Sequence, residues 1–90
     1  MNNKNINQKI HQSIQQRIVE AIQYVAPEIE LENIDINEDI REECDLDSID
    51  FLNYLIALKK STGVSIAESD YSQVKTFNNM LTYLTEKLSV

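Results

Sequence analysis

Two residues in this chain interrupt a helix by backbone chemistry alone, Pro27 and Gly63, and no other proline or glycine occurs. A fold built from strands needs many tight reversals, and those reversals draw on these two residue types. Their scarcity argues against an all-β design and leaves the long intervals between them to helices. An all-α bundle is therefore expected. Ninety residues make one domain, near the size at which a single core is only modestly stable. Apolar residues are 42% of the chain, enough to build that core.

The apolar rhythm places the helices. Ile10, Ile14, Ile18 and Ile22 recur every fourth residue, with Val19, Ala21 and Val25 beside them. This spacing predicts a first helix over roughly 7–25, stopped by Pro27 and by the extended backbone that a proline imposes on its predecessor. Residues 1–6 are Asn-rich and are expected to be a flexible N-terminal segment, with 7–90 a single domain. A second helix is predicted over 48–61, with Ile49, Leu52, Leu55, Ile56 and Leu58 buried on one broad side and Phe51 and Tyr54 widening the apolar arc. Gly63 stands where a helix end calls for positive φ, and Lys59 and Lys60 suit the negative end of the dipole. A short helix is expected near 68–74, with weak caps at Ser69 or Asp70. Thr76 is the expected N-cap of a last helix over 77–88, whose stripe is Phe77, Met80, Leu81, Leu84 and Leu88, flanked by Tyr83.

Between the first two helices, residues 26–47 lack helical rhythm apart from a possible turn near 37–43. Ile29, Leu31, Ile34, Ile36, Ile40 and Leu46 predict a loop pinned over the core, and a loop this long in a small domain is often functional. Eleven of the 15 acids lie between Glu28 and Asp50, where Arg41 is the only base. The formal net charge of −7 repels phosphate backbones and favours encounter with basic protein surfaces, so nucleic acid is not an expected partner. No apolar run approaches the length of a membrane span, and "MNNKNINQKIHQ" holds no secretion signal. Cys44 is the sole cysteine and has no internal disulfide partner. A cytoplasmic monomer is the expectation.

The densest chemistry is in "CDLDSID", Cys44 to Asp50, directly before the second helix. Asp47 or Ser48 can cap that helix, and carboxylates in its first turn suit the dipole. Capping leaves the upstream acids unexplained. A calcium loop counted from Asp45 fails, because Ile49, Asp50 and Ile56 occupy the places of the third acid, the glycine and the closing glutamate. Catalysis by Ser48 needs a base, and the only histidine is His11 on the polar side of the first helix. Cys44 sits among acids that raise a thiol pKa and blunt its reactivity. No catalytic residue and no metal site is expected. What remains is a serine displayed at a helix start and marked by carboxylates for another enzyme to find.

The element Asp47–Ser48–Ile49–Asp50, its place at the start of the second helix, the long acidic loop before it, the glycine after it, "SDY" before a short helix and "TFNNMLTYL" as the last helix together resemble the acyl carrier proteins of the stand-alone kind. The resemblance implies an acyl-carrier-like four-helix bundle. It implies that Ser48 bears 4′-phosphopantetheine, transferred from coenzyme A by a phosphopantetheinyl transferase. The arm's thiol would hold acyl groups as thioesters for acyl-activating, condensing or acyl-transferring enzymes with basic docking surfaces. Asp47, Ile49, Asp50, Asp45, Glu42, Glu43 and Asn53 would meet those partners. In family members glutamates decorate the exposed face of the second helix, whereas here that face carries Asn53, Ala57, Lys59 and Lys60. This points to a specialised fatty-acid, polyketide or related pathway. A peptidyl or aminoacyl carrier and an unmodified acidic interaction module stand as alternatives.

Overall fold

The isoleucine repeat builds the longest element of the computed structural model, in which the backbone of residues 3–88 and the side chains of residues 12–88 are described. Helix α1 runs Asn3–Val25, four residues longer at its start than the periodicity from Asn7 suggests. Ile6 stands one further step of four before Ile10, so the same register reaches back into the polar segment. Of the expected flexible segment 1–6, residues 3–6 are helical, and residues 1 and 2 lie outside the described residues. The side chain of His11 lies outside them as well. Ile14, Ile18, Ala21 and Ile22 are buried, the last closing onto Ala26, whose N–H donates to the Ile22 carbonyl before Pro27 ends the helix.

Three further α-helices follow: α2 at Ile40–Glu43, α3 at Ser48–Thr62 and α4 at Phe77–Leu88. 3₁₀ helices occupy Leu31–Asn33, a single turn, and Glu68–Gln73, two turns. No strand is present among the described residues. α1 packs along both α3 and α4, and the core fills the space between them with Phe51, Tyr54, Leu55, Leu58, Val74, Met80, Leu81, Tyr83 and Leu84. This is the all-α, carrier-like bundle that the sequence predicts.

The long acidic segment is a tethered strap. Ile40, Cys44 and Leu46 are buried, while Ile29, Leu31 and Ile34 pack half-buried against the core. Ile36 departs from the expectation and is exposed, since its contribution is made by backbone: its carbonyl accepts the Asn78 N–H at 3.0 Å. Asn78 also donates through Nδ2 to Asn37 Oδ1 at 2.7 Å, and the Ile40 N–H reaches the Lys75 carbonyl at 2.7 Å. The segment before α3 is thus fastened to the start of α4, 41 residues away for the Asn37–Asn78 pair.

Two local expectations change. The 3₁₀ helix Glu68–Gln73 has no side-chain cap: it starts one residue before Ser69 and two before Asp70, so both expected caps lie inside it and Ala67, which has no side-chain acceptor, holds the N-cap place. Asp70 accepts the Tyr83 hydroxyl at 2.8 Å, and Tyr83 is buried rather than flanking the stripe. That hydrogen bond, then burial and the Asp70 charge, raises the Tyr83 pKa above the usual phenol value. Thr76 caps α4 as expected, its hydroxyl accepting the Asn79 N–H at 2.9 Å.

Candidate functional site

The start of α3 is organised by two reciprocal bonds. Asp47 is the N-cap, with extended backbone, and its carboxylate accepts the Asp50 N–H at 2.7 Å. The Asp50 carboxylate reaches back to the Asp47 N–H at 3.4 Å, longer because aspartate is shorter than the glutamate usual at this place in a capping box. Of the two candidate caps it is Asp47 that does the work. Ser48 therefore occupies the first position of the helix, exposed, with its hydroxyl not needed for the cap.

The turn before it is equally determined. α2 is capped by Asp39, whose Oδ1 accepts the Arg41 N–H at 2.9 Å. At its other end the Leu46 N–H donates to the Arg41 carbonyl at 2.8 Å, and Asp45 takes a left-handed φ of 53°. This is the 6→1 bond of a Schellman-type closure, with aspartate in the left-handed place that glycine usually fills. Aspartate tolerates the left-handed region better than most residues. Buried Leu46 then anchors the chain two residues before Ser48. Arg41 lies over the Phe51 ring at 5.3 Å and pairs with Asp39 at 3.4 Å, joining the strap to the first turn of α3.

The residues the sequence singles out fall into separate roles. Glu42, Asp45, Asp47, Ile49 and Asn53 are exposed. Asp50 is half-buried and held in the cap, and Glu43 is half-buried with Oε1 accepting the Asp35 N–H at 2.7 Å. Cys44 is buried beneath them, and burial with the nearby Glu43 carboxylate pushes its thiol up to about 11. It is therefore a protonated, poorly nucleophilic core residue at neutral pH. Among the described residues no cluster of side chains is arranged to hold a metal ion.

α3 corrects the predicted stripe. Its buried residues are Phe51, Tyr54, Leu55 and Leu58, while Ile49, Leu52 and Ile56 are 68%, 45% and 50% exposed. The three exposed residues follow Ser48 along the outward side of the same helix. Sequence reasoning overlooked Leu52 and Ile56 as surface residues. The available signal was an excess of apolar positions: seven large apolar side chains in ten residues are more than one stripe accommodates.

The fold and the site define a small helical carrier domain, a bundle that displays one serine at the first position of a helix. The family model described as phosphopantetheine attachment site matches residues 16–84, and the chain belongs to that family. Its members hold 4′-phosphopantetheine covalently, so this is the cofactor of the chain. Such a domain is a carrier that works with modifying and biosynthetic enzymes. Nothing among curated proteins or solved structures matches the chain. No helix among the described residues is long and apolar enough to cross a membrane.

Proposed function

We propose that Ser48 is the attachment residue and that the protein is an acyl carrier serving a specialised fatty-acid, polyketide or related pathway. The observation that carries this reading is the division of labour at the start of α3. Asp47 and Asp50 close the cap on one another, and Ser48 beside them is exposed. The residues fit the group: the Ser48 oxygen would hold it through a phosphodiester, at the helix end whose dipole favours an anion. Asp47 and Asp50 bear negative charge nearby, but both carboxylates are turned onto backbone N–H groups. Once attached, the arm supplies a terminal thiol that carries acyl groups as thioesters.

The chain's own residues do the rest. The cap and buried Leu46 fix the direction in which Ser48 leaves the surface. Glu42, Asp45 and Asp47 provide a local anionic field for a transferase with a basic docking surface, speeding encounter without demanding high affinity. Ile49 and Asn53 offer the adjoining contact. The aspartate before Ser48 favours the acyl over the peptidyl or aminoacyl type. The test is intact-mass spectrometry after incubation with coenzyme A, Mg²⁺ and a promiscuous phosphopantetheinyl transferase. The wild-type chain is expected to gain one phosphopantetheinyl group and Ser48→Ala none. No gain on the wild type, or an equal gain on the variant, would return the cluster to a cap in an unmodified interaction module.

A further inference from the structure

Resting on the carrier reading, because the same partner must reach Ser48, a second feature of α3 specifies what that partner looks like. Ile49, Leu52 and Ile56 are spaced three and four residues apart, so they form one exposed apolar row. Single exposed apolar residues are ordinary, whereas a contiguous row marks an interaction surface. Two clefts border the row. One, of about 490 Å³, lies between α1 and α3, and its lining includes Arg17, Glu20, Tyr24, Asn53, Ile56 and Lys60. The other, of about 130 Å³, is lined by Leu52, Leu55, Ile56, Lys59, Ile66 and Tyr71. Ile56 belongs to both and stands as the ridge between them.

Charge changes sign along this row. Exposed Glu42, Asp45 and Asp47 stand at the Ser48 end, and exposed Lys59 and Lys60 at the other. Neither lysine is in an ion pair among the described residues, while Arg17 in the larger cleft is partnered by Glu20 at 3.6 Å. The dipole accounts for cations in a last turn, but not for their lining both clefts. From Ile49 to Lys60 the helix rises about 16 Å, beyond the Debye length of about 8 Å at physiological salt. The two ends are therefore felt separately. A uniformly basic partner would be attracted at one end and repelled at the other.

We propose that the outward face of α3 docks a protein surface whose charge reverses along its length. That surface places cations opposite Asp45 and Asp47, an apolar strip over Ile49, Leu52 and Ile56, and carboxylates opposite Lys59 and Lys60. The reversal fixes the direction in which the partner lies on α3, and it rejects partners that are basic throughout.

Three 14-residue amphipathic helical peptides with one shared apolar face test this. One carries arginines in one half and glutamates in the other, one carries arginines throughout, and one glutamates throughout. Each is titrated into the ¹⁵N-labelled protein at low salt, with amide shifts reporting affinity and location. The block-charged peptide is expected to bind tightest, with shifts along α3. In K59E/K60E the preference is expected to move towards the all-arginine peptide, changing the affinity ratio by about three- to ten-fold. K59Q/K60Q, which adds no charge to the helix end, is expected to lie between, and circular dichroism checks that both variants fold. An unchanged ratio in K59E/K60E, shifts away from α3, or no binding by any peptide overturns the proposal. Ser48 modification, measured by mass on the same wild-type preparation, reports on the carrier reading independently of the peptide result.

Discussion

The two faces of α3 are made of the same kinds of residue and do different things. Inward, Phe51, Tyr54, Leu55 and Leu58 are almost wholly removed from water; outward, Ile49, Leu52 and Ile56 keep about half or more of their surface. The inward side chains pack against α1 and join the shared hydrophobic core, and they carry stability. The outward ones stay open to water, and their row follows Ser48 along the helix and borders two shallow clefts. Apolar character by itself therefore says little about role in this helix. The contrast between the faces has measurable consequences.

The largest effect is expected on the inward face. Leu58 is fully buried, and Leu58→Ala removes its packing and leaves a cavity, costing about 2–5 kcal/mol. Against the ~5–15 kcal/mol available to a typical domain, this is a large share, visible in urea unfolding. A loss below that of a surface substitution would mean that the core rests on other residues.

Tyr54 refines the picture of that face. Its ring packs at 5.9 Å from Phe51, yet its buried hydroxyl has no hydrogen-bond partner among the described residues. Tyr54→Phe removes a desolvated, unpaired group and is expected to raise stability by roughly 1 kcal/mol. Alkali should expose the same environment. Burial raises the pKa of Tyr54, assisted by neighbouring Cys44, and raises Cys44 to about 11 from 9.0. The folded state therefore keeps protons that the unfolded chain releases, so alkali favours unfolding. Stability is expected to be fully present below about pH 9 and to fall as the pH rises towards 11. Cys44→Ala should flatten part of that fall in melting curves recorded against pH. An identical slope in the variant would remove Cys44 from the account.

Smaller effects belong to the outward side and its approach. Asp45 holds a left-handed backbone at a position suited to glycine. Asp45→Gly is expected to raise stability by about 0.5 kcal/mol through relief of that strain, less the added freedom of the unfolded chain. A melting temperature that falls would show that the aspartate side chain makes a contribution beyond the turn. Ile56→Gln is expected to change stability by less than about 0.5 kcal/mol, because the side chain already meets water. A loss approaching that of Leu58→Ala would erase the distinction between the faces.

Most of the architecture was legible because it is local. The every-fourth isoleucines, Pro27, Gly63 and Thr76 each act within a turn or two, so the helices and their stops can be read along the chain. Gly63 takes φ 78° with its N–H on the Lys59 carbonyl, and a methyl group there would meet nothing within 4 Å. Its requirement is backbone conformation alone, which is why the sequence position suffices to see it. The start of α3 was legible for the same reason, down to Asp47 as one of two candidate caps.

The sequence by itself determined an all-α chain, the limits of α3 and α4, and a serine set among carboxylates at a helix start. Only the tertiary structure decided which side of α3 faces the core, since that depends on where α1 and α4 lie and not on the spacing within α3. It also decided that Tyr83 turns inward to meet Asp70, and that the acidic strap is tied by Ile36, Asn37 and Ile40 to the segment opening α4. Each of these contacts joins residues far apart in the chain. The cap between Asp47 and Asp50 is local; the burial of Leu46 that positions Ser48 depends on the packed core.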